Sequence, residues 1–214
     1  MLKLNHLKTN NGLLSLLAMV ILFLSSPAYA SSSDSVPDEL DQLIATKLKL
    51  IHAYLKTNDI AGIIAECKDL IVCRVFERHI DIWASAHCLM GGYEFRANKF
   101  DQAFKHFSAA GNDLVRQRAP KSWLEAQVGS GDCHFQNKNY GEAKSCYDSA
   151  ITKEAKQMNH LAWQTAHLGM ARMYGDMGYK FLYDYHIQQC ISIPPEAIVL
   201  SIASTNGDEK NSSS

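Results

Sequence analysis

Six cysteines carry the most reactive side chains of this 214-residue chain: Cys67, Cys73, Cys88, Cys133, Cys146 and Cys190. A cysteine acts as a catalytic nucleophile when a histidine, itself held by a third group, takes its proton. Cys133 and His134 are adjacent in sequence, but neighbouring residues on a helix project about 100° apart and do not face each other. The spacing therefore predicts no thiol nucleophile, and we expect that the protein is not an enzyme.

Metal and cofactor sites are not indicated either. The sequence contains no Cys-x-x-Cys, no His-Glu-x-x-His and no carboxylate cluster with the spacing of a calcium loop. His160 and His167 can share a helix face, which supplies two ligands without a third. A Gly-x-Ser-x-Gly elbow and a glycine-rich phosphate loop are also missing. We expect that the protein binds no metal and no organic cofactor.

Residues 1–30 have the pattern of a secretory signal peptide. Lys3 and Lys8 precede an apolar stretch from Leu13 to Leu24, and Ala28-Tyr29-Ala30 supplies the small residues of a cleavage site. The apolar stretch is shorter than the about 20 residues that span a bilayer. We therefore expect cleavage after Ala30, a flexible leader over residues 31–37, and a mature protein that is periplasmic or secreted.

The charge of the mature chain is close to balanced. The full chain has 21 basic and 22 acidic residues, and the signal contains two of the basic ones, so the mature chain carries 19 − 22 = −3. This balance argues against nucleic acid, or an anionic membrane surface, as a partner held by bulk charge. No later segment is apolar enough to predict an integral membrane helix after signal cleavage.

Trp83, Trp123 and Trp163 recur at a fixed period of 40, and the residues around them recur in the same register. The other recurring positions, which complete the predicted repeat core, are Gly91 with Gly131, Phe100 with Tyr140, Ala103 with Ala143, Phe107 with Tyr147, and Ala110 with Ala150. A unit that cannot bury its apolar face alone must stack on its neighbours. The register therefore predicts a helical array in which copies of one unit share a continuous interior.

Each unit reads as a helix A, a tight polar turn, a helix B and a longer connection. This pattern divides residues 38–192 into units at about 38–82, 83–122, 123–162 and 163–192. In the first unit Asp59 is expected to cap helix B, and in the third unit Asn139 is expected to do so. The turn of the fourth unit, near Gly178, is expected to be shifted by about one residue.

The array is expected to end at Pro194-Pro195, because prolines cannot continue a helix. Residues 193–204 then form either a short capping helix or an added strand. Residues 205–214 are small and polar, and they read as a disordered tail.

The recurring residues resemble the tetratricopeptide repeat, in which a small residue on helix A faces an aromatic-x-x-Ala start of helix B. In this chain the pattern is carried by Gly91, Phe100 and Ala103, and by the same positions of the next unit. The resemblance implies an all-α, right-handed superhelical array of about four antiparallel helix hairpins. The family's period is shorter, at about 34 residues, and we expect the extra residues here to lengthen helix B and its partner by a turn or two. A generic helical bundle is the alternative fold.

The resemblance also implies that a protein or peptide binds in a groove lined by the A helices. The family's groove positions correspond here to Arg96, Glu125, Asp132, Gln136, Arg172 and Asp176. An ordinary solvated helix face is the alternative for each of them. The implied function is an exported scaffold or adaptor, such as an envelope assembly factor. A secreted hydrolase or thiol-redox protein, and a secreted host-interaction factor, are the alternatives.

The repeat also assigns places to the cysteines. Cys67 falls where Phe107 and Tyr147 fall, and Cys190 falls where alanines fall, so both are expected to pack in the core as small apolar groups. The remaining four flank two turns between antiparallel helices, as the pairs Cys73 with Cys88 and Cys133 with Cys146. Each pair is either a disulfide or two free thiols, and the sequence leaves both open.

Overall fold

A computed structural model describes residues 39–72 and 78–191. Across these residues the chain is helical and has no strand, which confirms the all-α class. The signal peptide, the leader, the predicted capping segment, the tail and Cys73 lie outside the described residues. We number the helices α1 Glu39–Thr57, α2 Ile60–Val72, α3 Ile80–Arg96, α4 Phe100–Ala110, α5 Asp113–Arg118, α6 Pro120–Gln136, α7 Tyr140–Ala150, α8 Lys153–Met158, α9 His160–Asp176 and α10 Lys180–Ile191.

The helices repeat with the same period as the tryptophans. Helices α3, α6 and α9 are the A helices of the second, third and fourth units, each has 17 residues, and each begins three residues before its tryptophan. Helices α4, α7 and α10 are the B helices of those units, and α1 and α2 form the A and B helices of the first unit.

The extra residues of each unit form a separate short helix. Helices α5 and α8 have six residues each, and they lie between helix B of one unit and helix A of the next. The expectation that these residues lengthen helix B is therefore wrong. Asn112 and Thr152 explain the break, because their side chains accept hydrogen bonds from the Val115 and Ala155 amides and so begin new helices.

All four turns between helix A and helix B have the same backbone geometry. The equivalent residues of these turns, Asn58, Asn98, Lys138 and Gly178, have φ angles of 55°, 59°, 61° and 79°. Around Asn98, the Lys99 amide donates to the Glu94 carbonyl and the Asn98 amide to the Phe95 carbonyl, which is a Schellman motif. The fourth turn is thus in register with the others, and the expected shift of one residue is wrong.

The hairpins pack in chain order. Each helix B contacts the helix A of its own unit and that of the next, as α4 does with α3 and α6, and each helix A of the later units contacts the next helix A. The surroundings of Trp123 and Trp163 repeat as well: their indole N–H groups donate to the carbonyls of Gly111 and Ile151, at 3.1 and 3.3 Å. Neighbouring units therefore share one kind of interface.

An aromatic ring on helix B is wedged between two successive A helices. Phe107 lies against Gly91 of its own unit and Gly129 of the next, and a Cβ added at Gly91 would lie only 2.8 Å from the ring. Tyr147 occupies the equivalent space beside Gly131 and Gly169. These glycines let the helices approach closely enough for the ring to contact both.

The first unit fills the same space with different residues. Cys67 takes the place of the aromatic ring, and Ile51 and Leu89 stand one period before Gly91 and Gly129. All three side chains belong to one buried cluster. The smaller thiol is thus combined with two aliphatic side chains at the positions where the later units have glycines.

Candidate functional site

Five of the six predicted groove residues lie in the C-terminal halves of the A helices. Arg96, Gln136 and Asp176 are the last residues of α3, α6 and α9, and all three are exposed. Asp132 and Arg172 stand four residues earlier on α6 and α9. Because both sets keep the register of the repeat, the structure brings them to the same end of successive A helices.

Asp132 and Arg172 form an ion pair between the third and fourth units. The Arg172 Nη2 lies 2.5 Å from the Asp132 Oδ1, and the hydroxyl of Tyr147 donates to the same oxygen at 2.6 Å. The nearby carboxylate raises the pKa of Arg172, while burial and the same carboxylate raise the pKa of Tyr147 well above its ordinary value. Asp132 therefore joins two units and is charge-balanced within the protein.

Asp176 is paired in a similar way, at the outer end of the same face. The Lys138 Nζ lies 2.6 Å from its Oδ2, and the Tyr140 hydroxyl also donates to that oxygen. These bonds lower the pKa of Asp176 and raise that of Lys138. Because the three groups are close to solvent, the pair fixes geometry more than it adds stability.

Glu125 lies on α6 beside the residue that precedes α9, apart from the other five predicted groove residues. Its Oε1 accepts a hydrogen bond of 3.0 Å from the Asn159 side-chain amide, and the Asn159 Oδ1 in turn accepts from the Ala162 amide at the start of α9. Burial raises the pKa of Glu125 to about 7. This carboxyl group therefore supports the capping residue of the next helix A.

The described cysteines are free thiols with weak acidity. Cys67, Cys88 and Cys133 are buried, and burial raises the pKa of Cys67 and of Cys133 to about 12. Cys146 on α7 is among the groups that raise the pKa of Cys133 on α6. The disulfide between them stays a prediction, and the one between Cys73 and Cys88 involves a residue outside the described part.

Sequence reasoning missed two histidine pairs. His87 Nδ1 lies 3.0 Å from His106 Nδ1, and His167 Nδ1 lies 2.8 Å from His186 Nδ1. The available signal was the spacing, since both members of the second pair stand two full periods after those of the first. Among the described residues no group of three or more histidine, cysteine or carboxylate side chains can hold a metal ion.

An apolar surface on α10 was also missed. Phe181 and Tyr185 are 82% and 48% exposed. The equivalent residues of α4, Asp101 and Lys105, are polar. The last described helix B therefore presents aromatic groups where an internal one presents charges.

The chain matches no family model, no curated protein sequence and no solved structure. No helix within residues 39–72 and 78–191 combines the length and the apolar character that a membrane crossing needs. The functional proposal therefore depends on the arrangement of the side chains.

Proposed function

We propose that this protein is an exported, non-enzymatic scaffold that binds a peptide or a segment of another protein along its A helices, as a tetratricopeptide-like, right-handed superhelical array. The observation that carries the proposal is the alignment of Arg96, Gln136 and Asp176 at one end of three successive A helices. An extended ligand that crosses these helices would meet one such side chain in each unit.

The charges of this face suit a polar ligand with an acidic group. Asp132 is balanced by Arg172, and Asp176 is balanced by Lys138. Arg96 adds a positive charge at the second unit, so the sum over these five residues is +1. We infer that an acidic group of the ligand lies toward the second unit, while Gln136 offers both a donor and an acceptor beside it.

Affinity capture with the mature protein as bait, from the exported proteins of its source, identifies the ligand. Calorimetry then compares the parent with Arg96→Glu, for which we expect binding weaker by about tenfold, or 1.4 kcal/mol. The matched control is Lys105→Glu, which makes the same change of charge on the exposed side of α4. If both variants weaken binding equally, or if neither weakens it, the assignment of this face is contradicted.

The site of action follows from the predicted signal. An envelope adaptor would be found in the periplasm, whereas a host-interaction factor would accumulate in the culture fluid. The protein recovered from either fraction should begin at Ser31. A chain that keeps residues 1–30 would contradict export by cleavage.

Thiol chemistry is the alternative function, and the raised pKa values of the buried cysteines argue against it. A nucleophilic or redox-active cysteine has a lowered pKa and is open to solvent, whereas burial raises the pKa of Cys133 to about 12. Titration of the native mature protein with a thiol reagent at pH 7 tests this. One thiol that reacts far faster than the same thiols in the denatured chain would favour the alternative.

A further inference from the structure

The two histidine pairs are one arrangement that occurs twice. In each pair a histidine of helix A faces a histidine of helix B in the same unit, and the helix A histidine lies under the edge of a tryptophan. The ring centroids of Trp83 and His87 are 4.2 Å apart, and those of Trp163 and His167 are 4.3 Å apart. The repetition indicates that the arrangement is a property of the sequence at these positions.

The other two units hold different residues at the same positions. In the first unit these positions carry Lys47 and Glu66, which form an ion pair at 2.9 Å. In the third unit they carry Gln127 and Cys146. In the first, second and fourth units the position therefore holds a polar tie between helix A and helix B. In the second and fourth units both partners of the tie are histidines, which can each take up a proton.

The hydrogen bond between the two histidines of a pair depends on the number of protons that the pair carries. A hydrogen bond between two Nδ1 atoms needs an N–H on one ring and a lone pair on the other, which two neutral imidazoles supply. When both rings are charged, each Nδ1 carries a hydrogen and both point into the same gap. His87, His167 and His186 are only 8%, 4% and 5% exposed and His106 is half-buried, so water screens the repulsion between the two rings of a pair only weakly.

Charged groups around the first pair largely oppose one another. Glu94 on α3 favours the protonation of His106, and Lys68 on α2 disfavours it. Burial is the largest influence on both rings, and together with His106 it lowers the pKa of His87 to about 4.

Charged groups with opposing effects on protonation also surround the second pair. Lys156 on α8 disfavours the protonation of His167, whose pKa is lowered to about 4 by burial, by His186 and by that lysine. On α7, Asp148 favours the protonation of His186 and Lys144 disfavours it. Tyr174 on α9 stacks on His186, with the ring centroids 5.5 Å apart.

We propose that the two histidine pairs make the second and fourth hairpins acid-sensitive. A pair that gains its second proton pushes helix A and helix B of its unit apart, whereas the third unit has no histidine at these positions. The protein then opens at two separate hairpins along the array.

The direction and size of the effect follow from proton linkage. An opened hairpin releases its histidines to an ordinary pKa of 6.5, and the closed one holds His87 and His167 near 4. The closed state is therefore favoured fully above pH 6.5 and loses this advantage as the pH falls toward 4. At pH 5 a shift of this size favours opening by about 20-fold per pair relative to pH 7.

Hydrogen exchange of the full mature protein, read by mass spectrometry at pH 7.5 and pH 5.0, tests the proposal. After correction for intrinsic rates, we expect protection of α3–α4 and α9–α10 to fall by at least about tenfold more than that of α6–α7. His87→Gln with His106→Cys installs the residues of the third unit and should remove the response from α3–α4 alone. Gln127→His with Cys146→His should transfer a response to α6–α7.

Two results would overturn the proposal. One is an equal loss of protection in all three hairpins at pH 5.0, and the other is an unchanged response of α3–α4 in the double variant. If a variant fails to fold, nitrogen NMR shifts of the histidines in the parent decide the question. His87 and His167 rings that titrate near pH 6.5 contradict the proposal, and rings that stay neutral to about pH 5 support it.

Discussion

At the scale of single residues, the glycines beside the helix B rings are what allow the interface to form. Gly91 and Gly131 were predicted from the repeat, whereas Gly129 and Gly169, which contact the same rings from the next unit, were not. Their spacing of one period is visible in the sequence, but the second contact depends on how hairpins stack. The resemblance to the tetratricopeptide repeat concerns residues within one hairpin, so it does not predict a contact between one hairpin and the next.

Gly169→Ala should destabilise the protein by about 1–3 kcal/mol, because overpacking exceeds the gain in helix propensity. The added Cβ would lie 2.5 Å from the Cζ of Tyr147. The control is Gly141→Ala on α7, whose Cβ would have nothing within 4 Å; it should stabilise the protein by about 0.5–1 kcal/mol. Urea unfolding measures both. A Gly169→Ala variant that is more stable than the parent would contradict the packing of the Tyr147 ring between two successive A helices.

Ionisation of Glu125 should change the free energy of unfolding with pH in the direction opposite to that expected for the histidines. Its pKa is about 7 in the folded protein and 4.5 ordinarily, so between these values the folded state keeps a proton that the unfolded state releases. The free energy of unfolding therefore falls as the pH rises through this window, by up to about 3 kcal/mol.

Glu125→Gln keeps an acceptor for Asn159 and should remove this fall. Unfolding by urea should show the variant more stable than the parent at pH 8 and equal to it at pH 4. The histidines contribute alike to both proteins, so the difference between parent and variant isolates Glu125. A difference that does not change with pH would show that the carboxyl group titrates normally.

At the scale of elements, the sequence predicted the A and B helices and their turns, but it did not predict the short third helix. Asp59 caps α2 as expected, since its side chain accepts from the Gly62 amide at 3.0 Å. Asn139, read as the equivalent cap, makes no such bond. Asn112 is not predicted as a cap, although asparagine is a common capping residue, because the sequence analysis assigns the residues that follow it to a longer helix B.

Asn112→Ala should therefore cost about 1 kcal/mol, because it removes the cap of α5. Its side chain also donates to the Ala109 carbonyl at 2.7 Å, which ties α5 to the end of α4. The matched control, Asn139→Ala, should cost only a few tenths of a kcal/mol, since no capping bond is lost. Thermal unfolding of the two variants compares them, and a larger loss for Asn139→Ala would contradict the assigned caps.

At the scale of the whole molecule, the sequence predicted the order of the hairpins, but it did not predict which side chains pair within and between them. Side-chain pairs such as Asp132 with Arg172, and His87 with His106, depend on which positions face each other across helices. Periodicity shows which residues are equivalent, whereas facing pairs require the stacking geometry. Periodicity is enough to place Arg96, Gln136 and Asp176 at the same end of successive A helices, whereas the contact of Glu125 with Asn159 depends on the stacking.

Deletion of residues 120–159 should leave a shorter protein that still folds. The cut joins Ala119 to His160, and it lets Phe107 meet Gly169 where it now meets Gly129. Repeat proteins are stabilised mainly by contacts between neighbouring units, so removing a whole period preserves the packing of helix B on the next helix A, while the ion pairs of Arg172 and Asp176 are lost. Circular dichroism and thermal unfolding should show a helical, cooperative protein.

The control is deletion of residues 120–139, which removes half a period and places helix B against helix B. That protein should have little cooperative structure. If both deletions unfold alike, the units are not interchangeable.

The rings of Phe107 and Tyr147 have a mechanical consequence, since each fastens one hairpin to the next. A protein pulled from its two ends cannot release one unit without withdrawing such a ring from its glycine-lined slot. Each release frees one period of the chain, or roughly 130 Å when extended. Stretching a single molecule should therefore give a sawtooth trace with teeth of equal spacing, so that the array lengthens stepwise under load.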